Sequence, residues 1–467
     1  MKNTLLFTFL ILIFLNCSAQ DISGQWTGIL KVPGAQLGLV LYVTKTNEGY
    51  SATLDSPNQG AKGIPVNSVE FNSSVLKLTM TSLNAEYSGT LGADNIFKGI
   101  FKQNGQSFPL DLGRGDLEKP KLSRPQEPVK PYPYYSEDVK FENQKDKITL
   151  AGTLTLPAKE GNFPVVVLIS GSGPQDRNEE LLGHKPFLVL SDYLTRNGIA
   201  VLRYDDRGTA QSTGVFGIAT TKDFATDVES AVSYLKTRRE INQEKIGLIG
   251  HSEGGMIAPM VAAGSDEIAF IVLLAGPGIA GDELLIKQAH LIFRANGVSE
   301  SVLDEIDVLN KKGYTILKDK SDLAEIKKEL LPIMDETFKL LPATQQPPAD
   351  KRNEYLMQSV NQIATPWYQF FLRYDPAETL EKVKCPVLAL NGSNDLQVPP
   401  KEDLEGIRMA LEKGENKNFK IKELPKLNHL FQESETGSPG DYAKIEQTFS
   451  PTALTEISEW IKLIVLK

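Results

Sequence analysis

Gly250-His251-Ser252-Glu253-Gly254 is the stretch that most restricts what this chain can become. It follows Lys245-Ile246-Gly247-Leu248-Ile249, an apolar run that reads as a buried strand. It precedes Gly255-Met256-Ile257-Ala258-Pro259-Met260-Val261-Ala262-Ala263, a small and apolar segment suited to the start of a helix. A strand, a sharp turn with glycines two places either side of a serine, and a helix make a nucleophile elbow. The glycines are needed because the serine is strained and a β-carbon at either flank would collide with the neighbouring strand or helix. The turn lifts the Ser252 hydroxyl above the sheet, and the helix N-terminus beneath it favours developing negative charge. The alternative is a glycine-rich strand-to-helix turn without chemistry, so the partners of Ser252 decide the matter.

Two partners lie downstream. Pro386-Val387-Leu388-Ala389-Leu390 reads as a strand running into Asn391-Gly392-Ser393-Asn394-Asp395, which puts Asp395 just past a strand's C-terminal end, where open α/β sheets place ligands. Phe419-Lys420-Ile421-Lys422-Glu423-Leu424 alternates like a strand and leads into Pro425-Lys426-Leu427-Asn428-His429. A serine hydroxyl is a poor nucleophile until an imidazole takes its proton, and an aspartate must hold that imidazole in the right tautomer. Ser252, Asp395 and His429 are therefore the candidate triad, in the chain order Ser…Asp…His. The chain has 4 histidines, which narrows the choice. His251 is the elbow's own neighbour and points away, His184 lies in a loop after the first core strand, and His290 sits in a helical insert.

From about residue 135 to 467 the chain resembles a bacterial serine-esterase branch of the α/β-hydrolase superfamily, related to serine-aminopeptidase and acylglycerol-lipase domains. The matching stretches are Ser170-Gly171-Ser172-Gly173-Pro174-Gln175-Asp176-Arg177-Asn178-Glu179, Arg203-Tyr204-Asp205-Asp206-Arg207-Gly208 with Ser212 and Gly214, the elbow, the Asp395 loop, and Asn428-His429. The resemblance implies an α/β-hydrolase fold and carboxylic-ester hydrolysis through an acyl-enzyme, with no metal and no organic cofactor. It also implies an oxyanion hole made of backbone amides: that of Glu253, directly after the nucleophile, and one from the loop after an early strand. Phe163-Pro164-Val165-Val166-Val167-Leu168-Ile169 is that strand, and the Ser172 amide is the candidate donor, with Gly173 next. One departure is Ser170, where many relatives carry histidine.

The N-terminus reads as a secretory signal peptide over residues 1–19: Met1-Lys2-Asn3, an apolar run from Thr4 to Leu15, and Cys17-Ser18-Ala19 before Gln20. A lipid anchor on Cys17 is the less favoured reading, because Asn16 is a poor residue before such a cysteine. Cleavage after Ala19 leaves Cys385 alone, with no internal disulfide. The expected compartment is secreted or periplasmic, and no later run has the length of a membrane span. The formal net charge of -9 is spread along the chain without basic tracts, which argues against nucleic acid as a partner.

Residues 20–116 carry short alternating segments separated by glycine, asparagine and aspartate, and predict an all-β sandwich or small barrel. Its role stays open between shaping the substrate entrance, binding a carbohydrate or partner, and stabilising the enzyme. Residues 117–135, with Pro120, Pro125, Pro128, Pro131 and Pro133, read as a semi-rigid linker. Residues 136–467 form the hydrolase domain. Within it, about 282–372 shows long charged helical periodicity that interrupts the strand–helix alternation, as a lid would. Trp367, Tyr368, Phe370 and Phe371 either wall an acyl pocket or form the lid's own core. Gln175, Asp176 and Arg177 either reach a substrate's polar end or brace loops, and the charges of Asp205-Asp206-Arg207 pin loops together. The expected substrate is a small-molecule ester of a small or medium acyl group, with a peptidase, an acyltransferase or a binding protein of the same fold as alternatives. Oligomeric state is not written in the residues.

Overall fold

A computed structural model describes residues 21–465 apart from 33–34, 48, 57–60, 104–105, 116–122 and 344. The signal-peptide reading and Cys17 lie outside the described residues. The chain divides into two compact units between Lys121 and Leu122.

The described strands of the first unit all pair antiparallel. Gly24–Val32 (β1), Ala35–Thr46 (β2), Gly49–Ser56 (β3) and Ala61–Val66 (β4) form one meander. Ser68–Asn72 (β5), Val75–Met80 (β6), Ala85–Leu91 (β7), Phe97–Gln103 (β8) and Gln106–Leu112 (β9) form the other. Thr27 and Gly113 exchange backbone hydrogen bonds of 2.8 and 2.9 Å, tying β1 to the end of β9. Side chains on a strand alternate between faces. In β7, Ala85, Tyr87, Gly89 and Leu91 are buried while Glu86, Ser88 and Thr90 are exposed. The shared core centres on Trp26, whose indole donates to Ile22 O at 2.8 Å and packs 4.5 Å from Phe97.

The second unit is built on one sheet of eight strands: Tyr135–Asn143 (β10), Ile148–Leu156 (β11), Phe163–Ile169 (β12), Ala200–Tyr204 (β13), Ile241–His251 (β14), Phe270–Leu274 (β15), Val387–Gly392 (β16) and Phe419–Leu424 (β17). The spatial order is β10-β11-β13-β12-β14-β15-β16-β17. β10, β11 and β13 pair antiparallel in succession, and every pair from β13 to β17 is parallel. This is the α/β-hydrolase fold. Parallel strands covered on both faces read as unbroken apolar runs, and all five residues of β13 and of β15 are buried.

Helices cover both faces. Pro186–Arg196 (α1) packs on one side of the sheet, and Thr221–Lys236 (α2) and Gly254–Ala263 (α3) pack on the other. Between β15 and β16 come Gly281–Ala295 (α4), Glu300–Asp319 (α5), Leu323–Leu340 (α6), Arg352–Ile363 (α7) and Pro366–Arg373 (α8). These five helices have small cores of their own, one around Leu317, Ile326 and Val360 and another around Leu303 and Ile306. Ala377–Leu380 (α9) and Pro400–Lys413 (α10) join the α2 and α3 side, and Pro451–Val465 (α11) joins α1.

The proline-rich stretch is described from Ser123 onward. There it belongs to the second unit. Arg124 donates to the carbonyls of Ile445 and Ala443 at 2.7 and 3.0 Å, and Gln126 accepts from the amides of Thr448 and Phe449 at 2.7 and 3.0 Å. Among the described residues no helix is long and apolar enough to cross a membrane.

Candidate active site

Strand β14 ends at His251 and α3 begins at Gly254, so Ser252 and Glu253 alone make the turn. Ser252 sits at φ +52°, a left-handed conformation that costs a residue with a β-carbon about 1–2 kcal/mol. Its neighbours hold it there: the Ser252 amide donates to Leu274 O at 2.9 Å, and its carbonyl accepts from Gly255 N at 2.8 Å. The flanking glycines are required by space. A β-carbon on Gly250 would lie 1.9 Å from Gly254 O, and one on Gly254 would lie 2.2 Å from Ile169 O in β12.

Asp395 follows β16 and is buried, as is His429 in the loop after β17. One carboxylate oxygen of Asp395 accepts from the amides of Gln397 and Val398 at 2.7 and 3.0 Å. The other lies 2.8 Å from His429 Nδ1. A carboxylate only accepts, so Nδ1 carries a proton, and in the neutral imidazole Nε2 keeps its lone pair. The loop is shaped by buried Asn428, whose side-chain oxygen accepts from the amides of Leu430 and Gln432 at 3.0 and 2.9 Å. His251 joins this loop to the elbow: its Nε2 lies 2.9 Å from His429 O, and the two imidazole centroids are 4.8 Å apart. The structure thus brings Asp395 and His429 into direct contact and sets His429 against His251, the residue before Ser252. The Ser252 hydroxyl itself makes no hydrogen bond among the described residues.

The loop after β12 closes the other side. A β-carbon on Gly171 would stand 3.2 Å from the Ser252 β-carbon. The Gly171 amide is occupied, donating to Glu179 Oε1 at 2.8 Å. The amides of Ser172, Gly173 and Glu253 donate to no acceptor among the described residues. Ser170 bonds to Asp206 at 2.7 Å, and Asp206 also accepts from the Gln175 amide at 2.9 Å. Burial pushes the Asp206 carboxyl up to about 8. The Glu253 side chain turns inward, accepting from Thr221 Oγ1 and Trp367 Nε1, each at 2.7 Å. Burial drives it up to about 7 against the pull of those two hydrogen bonds.

Of the three residues read as possible substrate contacts, Arg177 and Trp367 are engaged elsewhere. Arg177 is spent on the protein: its Nε and one terminal nitrogen grip Asp205 at 3.0 and 2.7 Å, and the other terminal nitrogen reaches Gly152 O, Thr153 and Asp138. It braces loops, with no donor group left uncommitted. Trp367 spends its indole N–H on Glu253 and packs its ring 5.1 Å from Phe371, so it pins α8 to the elbow. Gln175 is half-buried, and its side-chain nitrogen lies 3.5 Å from Ser172 O. A cleft of about 970 Å³ opens beside the Asp395 loop, lined by α4 residues Lys287, His290 and Arg294 and by Leu396. Neither Ser252 nor His429 lines it.

Two residues escaped the sequence reading. His251 does not simply point away: it is buried between Glu179 and the His429 carbonyl. Glu179 stands at the end of the Ser170–Glu179 motif, yet its spacing says nothing of a partner 72 residues away. The available signal was the pairing of a histidine beside Ser252 with a carboxylate past the loop after β12. Among the described residues no cluster of His, Cys, Asp and Glu is arranged to hold a metal ion.

The model of the X-Pro dipeptidyl-peptidase (S15) family matches residues 146–405, more than half of the chain and inclusive of Ser252 and Asp395. The chain belongs to this family. The match stops short of His429, so the S15-family stretch holds two of the three triad candidates. The S15-family chain is also 28% identical over 332 residues to Esterase EstD of Thermotoga maritima, covering 70% of this chain and 69% of that one. Among solved structures, the Pyrococcus furiosus esterase Pf2001 is similar at a TM-score of 0.43 and 17% identity, covering 71% of this chain and 93% of its own. The α/β hydrolase GrgF from Penicillium sp. sh18 is similar at 0.44 and 16%, covering 71% and 100%.

Proposed function

We propose that this protein is a serine hydrolase that cleaves carboxylic esters of small to medium acyl groups through an acyl-enzyme. The observation that carries the reading is the buried 2.8 Å hydrogen bond between Asp395 and His429 Nδ1, next to a serine held at φ +52°. That bond leaves His429 Nε2 as the base. His429 takes the Ser252 proton, Ser252 attacks the ester carbonyl, and the uncommitted amides of Ser172 and Glu253 receive the oxyanion. Donors of this kind are worth about 3 kcal/mol each in the transition state. His429 then protonates the departing alcohol, and water activated by the same imidazole releases the acid. Catalytic hydrogen bonds are commonly long until substrate binds, which is consistent with an unengaged Ser252 hydroxyl.

The similarity to Esterase EstD supports ester cleavage. The S15-family match favours a second reading, removal of X-Pro dipeptides from peptides. A peptide's terminal ammonium needs an anionic partner near the nucleophile. The neighbouring carboxyls Glu179 and Glu253 are both buried and already bonded to protein groups. This favours the ester. Turnover of p-nitrophenyl acyl esters beside Xaa-Pro-nitroanilides decides between them. The expected result is ester turnover and fluorophosphonate labelling, both lost in Ser252→Ala. Faster Xaa-Pro cleavage would transfer the assignment to the peptidase, and no labelling at all would leave a binding protein. The same proposal places the protein outside the cytoplasm, from the signal-peptide reading, so the mature chain should begin at Gln20 by N-terminal sequencing.

A further inference from the structure

Between the oxyanion loop and the base lies a pair of ionisable groups that the proposed mechanism does not use. Glu179 is buried and is itself held at φ +52°. Strain at a residue with a β-carbon persists only where the surroundings over-determine it. One Glu179 oxygen sits between two donors, the Gly171 amide at 2.8 Å and His251 Nδ1 at 2.9 Å. The other nitrogen of His251 faces the His429 carbonyl at 2.9 Å. A carboxylate and a carbonyl both accept, so each nitrogen of His251 must donate, and a histidine that donates twice is an imidazolium.

We infer that Glu179 and His251 form a buried ion pair that positions the reaction's base: the carboxylate fixes the oxyanion loop through Gly171, and the imidazolium fixes the backbone of His429. The two are positioning residues, and the assignment rests on the serine-hydrolase reading above. Burial works against charge on His251, but the Glu179 carboxylate, the His429 carbonyl and Asp395 together outweigh it and hold His251 above the ordinary histidine range. The charged and titratable groups facing His251 are Glu179 from the loop after β12, His429 from the loop after β17, and Asp395 from the loop after β16. The remaining ring contact is Phe431, 6.4 Å away and apolar. With the two imidazoles 4.8 Å apart, a fixed positive charge on His251 opposes a second one on His429.

Three measurements test the pair. Nitrogen NMR of histidine-labelled protein should show both His251 nitrogens protonated at neutral pH, with the signals assigned by their loss in His251→Gln. A neutral His251 would overturn the inference whether or not the protein is active. In His251→Gln, kcat should fall about 10–100-fold with KM nearly unchanged, as for a misplaced catalytic group. Glu179→Gln keeps an acceptor for both donors and should retain more kcat than Glu179→Ala. Folded variants with parental kcat would overturn the inference. Should His251→Gln fail to fold, Glu179→Gln and the parental spectrum still decide. Parental protein that resists fluorophosphonate at Ser252 would instead sink the serine-hydrolase reading, leaving the spectrum to judge the ion pair separately.

Discussion

At the residue scale, His429 gains its directionality from Asp395. The aspartate is locked by two backbone amides and a single imidazole hydrogen bond. Asp395→Asn presents a donor where an acceptor is needed and turns the imidazole to the wrong tautomer. We expect kcat to fall about 10⁴-fold, with an unchanged circular dichroism spectrum, read by ester turnover. Glu253 sets a second expectation. Its folded-state value of about 7 lies above that of an exposed glutamate, so the native protein keeps a proton that the unfolded chain has already released. Stability then falls as pH rises from about 4.5 to about 7, by about 1.4 kcal/mol per unit at most. Glu253→Gln keeps an oxygen for Thr221 and Trp367 and carries no charge. Its melting temperature should decline less than the parent's between acid and neutral pH. Asp206, raised to about 8 by burial, leaves a residual slope. A variant as pH-sensitive as the parent would refute the assignment.

At the scale of elements, the elbow depends on how closely β12, β14 and α3 approach one another. The β-carbon of Gly254→Ala would meet the backbone of β12 at 2.2 Å, and backbone has no rotamer with which to retreat. Overpacking of this kind typically costs about 1–3 kcal/mol, occasionally more. The variant should melt lower and lose labelling of Ser252 even where it remains folded, since the turn must open to admit the methyl group. Nearby loops are fixed by charge: Arg207 bonds Asp227 at 2.8 and 2.9 Å and Asp146 at 2.8 Å. The acidic and basic residues around Asp205 were legible as loop braces. Whether Arg177 belonged among them or reached a substrate stayed open, because a motif gives residue types in order and says nothing of which way a long side chain turns. The lid aromatics carry the same lesson. Helical spacing identifies Trp367 as a face residue, but its indole finds Glu253, 114 residues earlier in the chain.

At the scale of the molecule, the second unit has its own cores on both faces of its sheet. A chain beginning at residue 123 should fold, melt cooperatively and label with fluorophosphonate. Beginning at residue 135 instead removes the bonds of Arg124 and Gln126 to the 443–449 segment and that of Tyr134 to Asp192 at 2.9 Å. Each such bond is worth about 0.5–1.5 kcal/mol, so the shorter chain should melt several degrees lower in calorimetry. Equal melting temperatures would show that the strap contributes nothing.

The sequence by itself determined the strand–turn–helix around Ser252, the apolar runs of the parallel sheet and the order of the triad candidates. These follow from local steric limits, from burial on both faces and from chain direction, all of which are written in adjacent residues. Only the tertiary structure decided that His251 is buried between Glu179 and the His429 carbonyl, that Arg177 and Trp367 hold the protein together, and that the proline-rich stretch joins the second unit. Those outcomes turn on which buried polar groups find partners across distant segments. A hydrogen bond is made between atoms in space, and a sequence supplies the donors and acceptors without their meeting points.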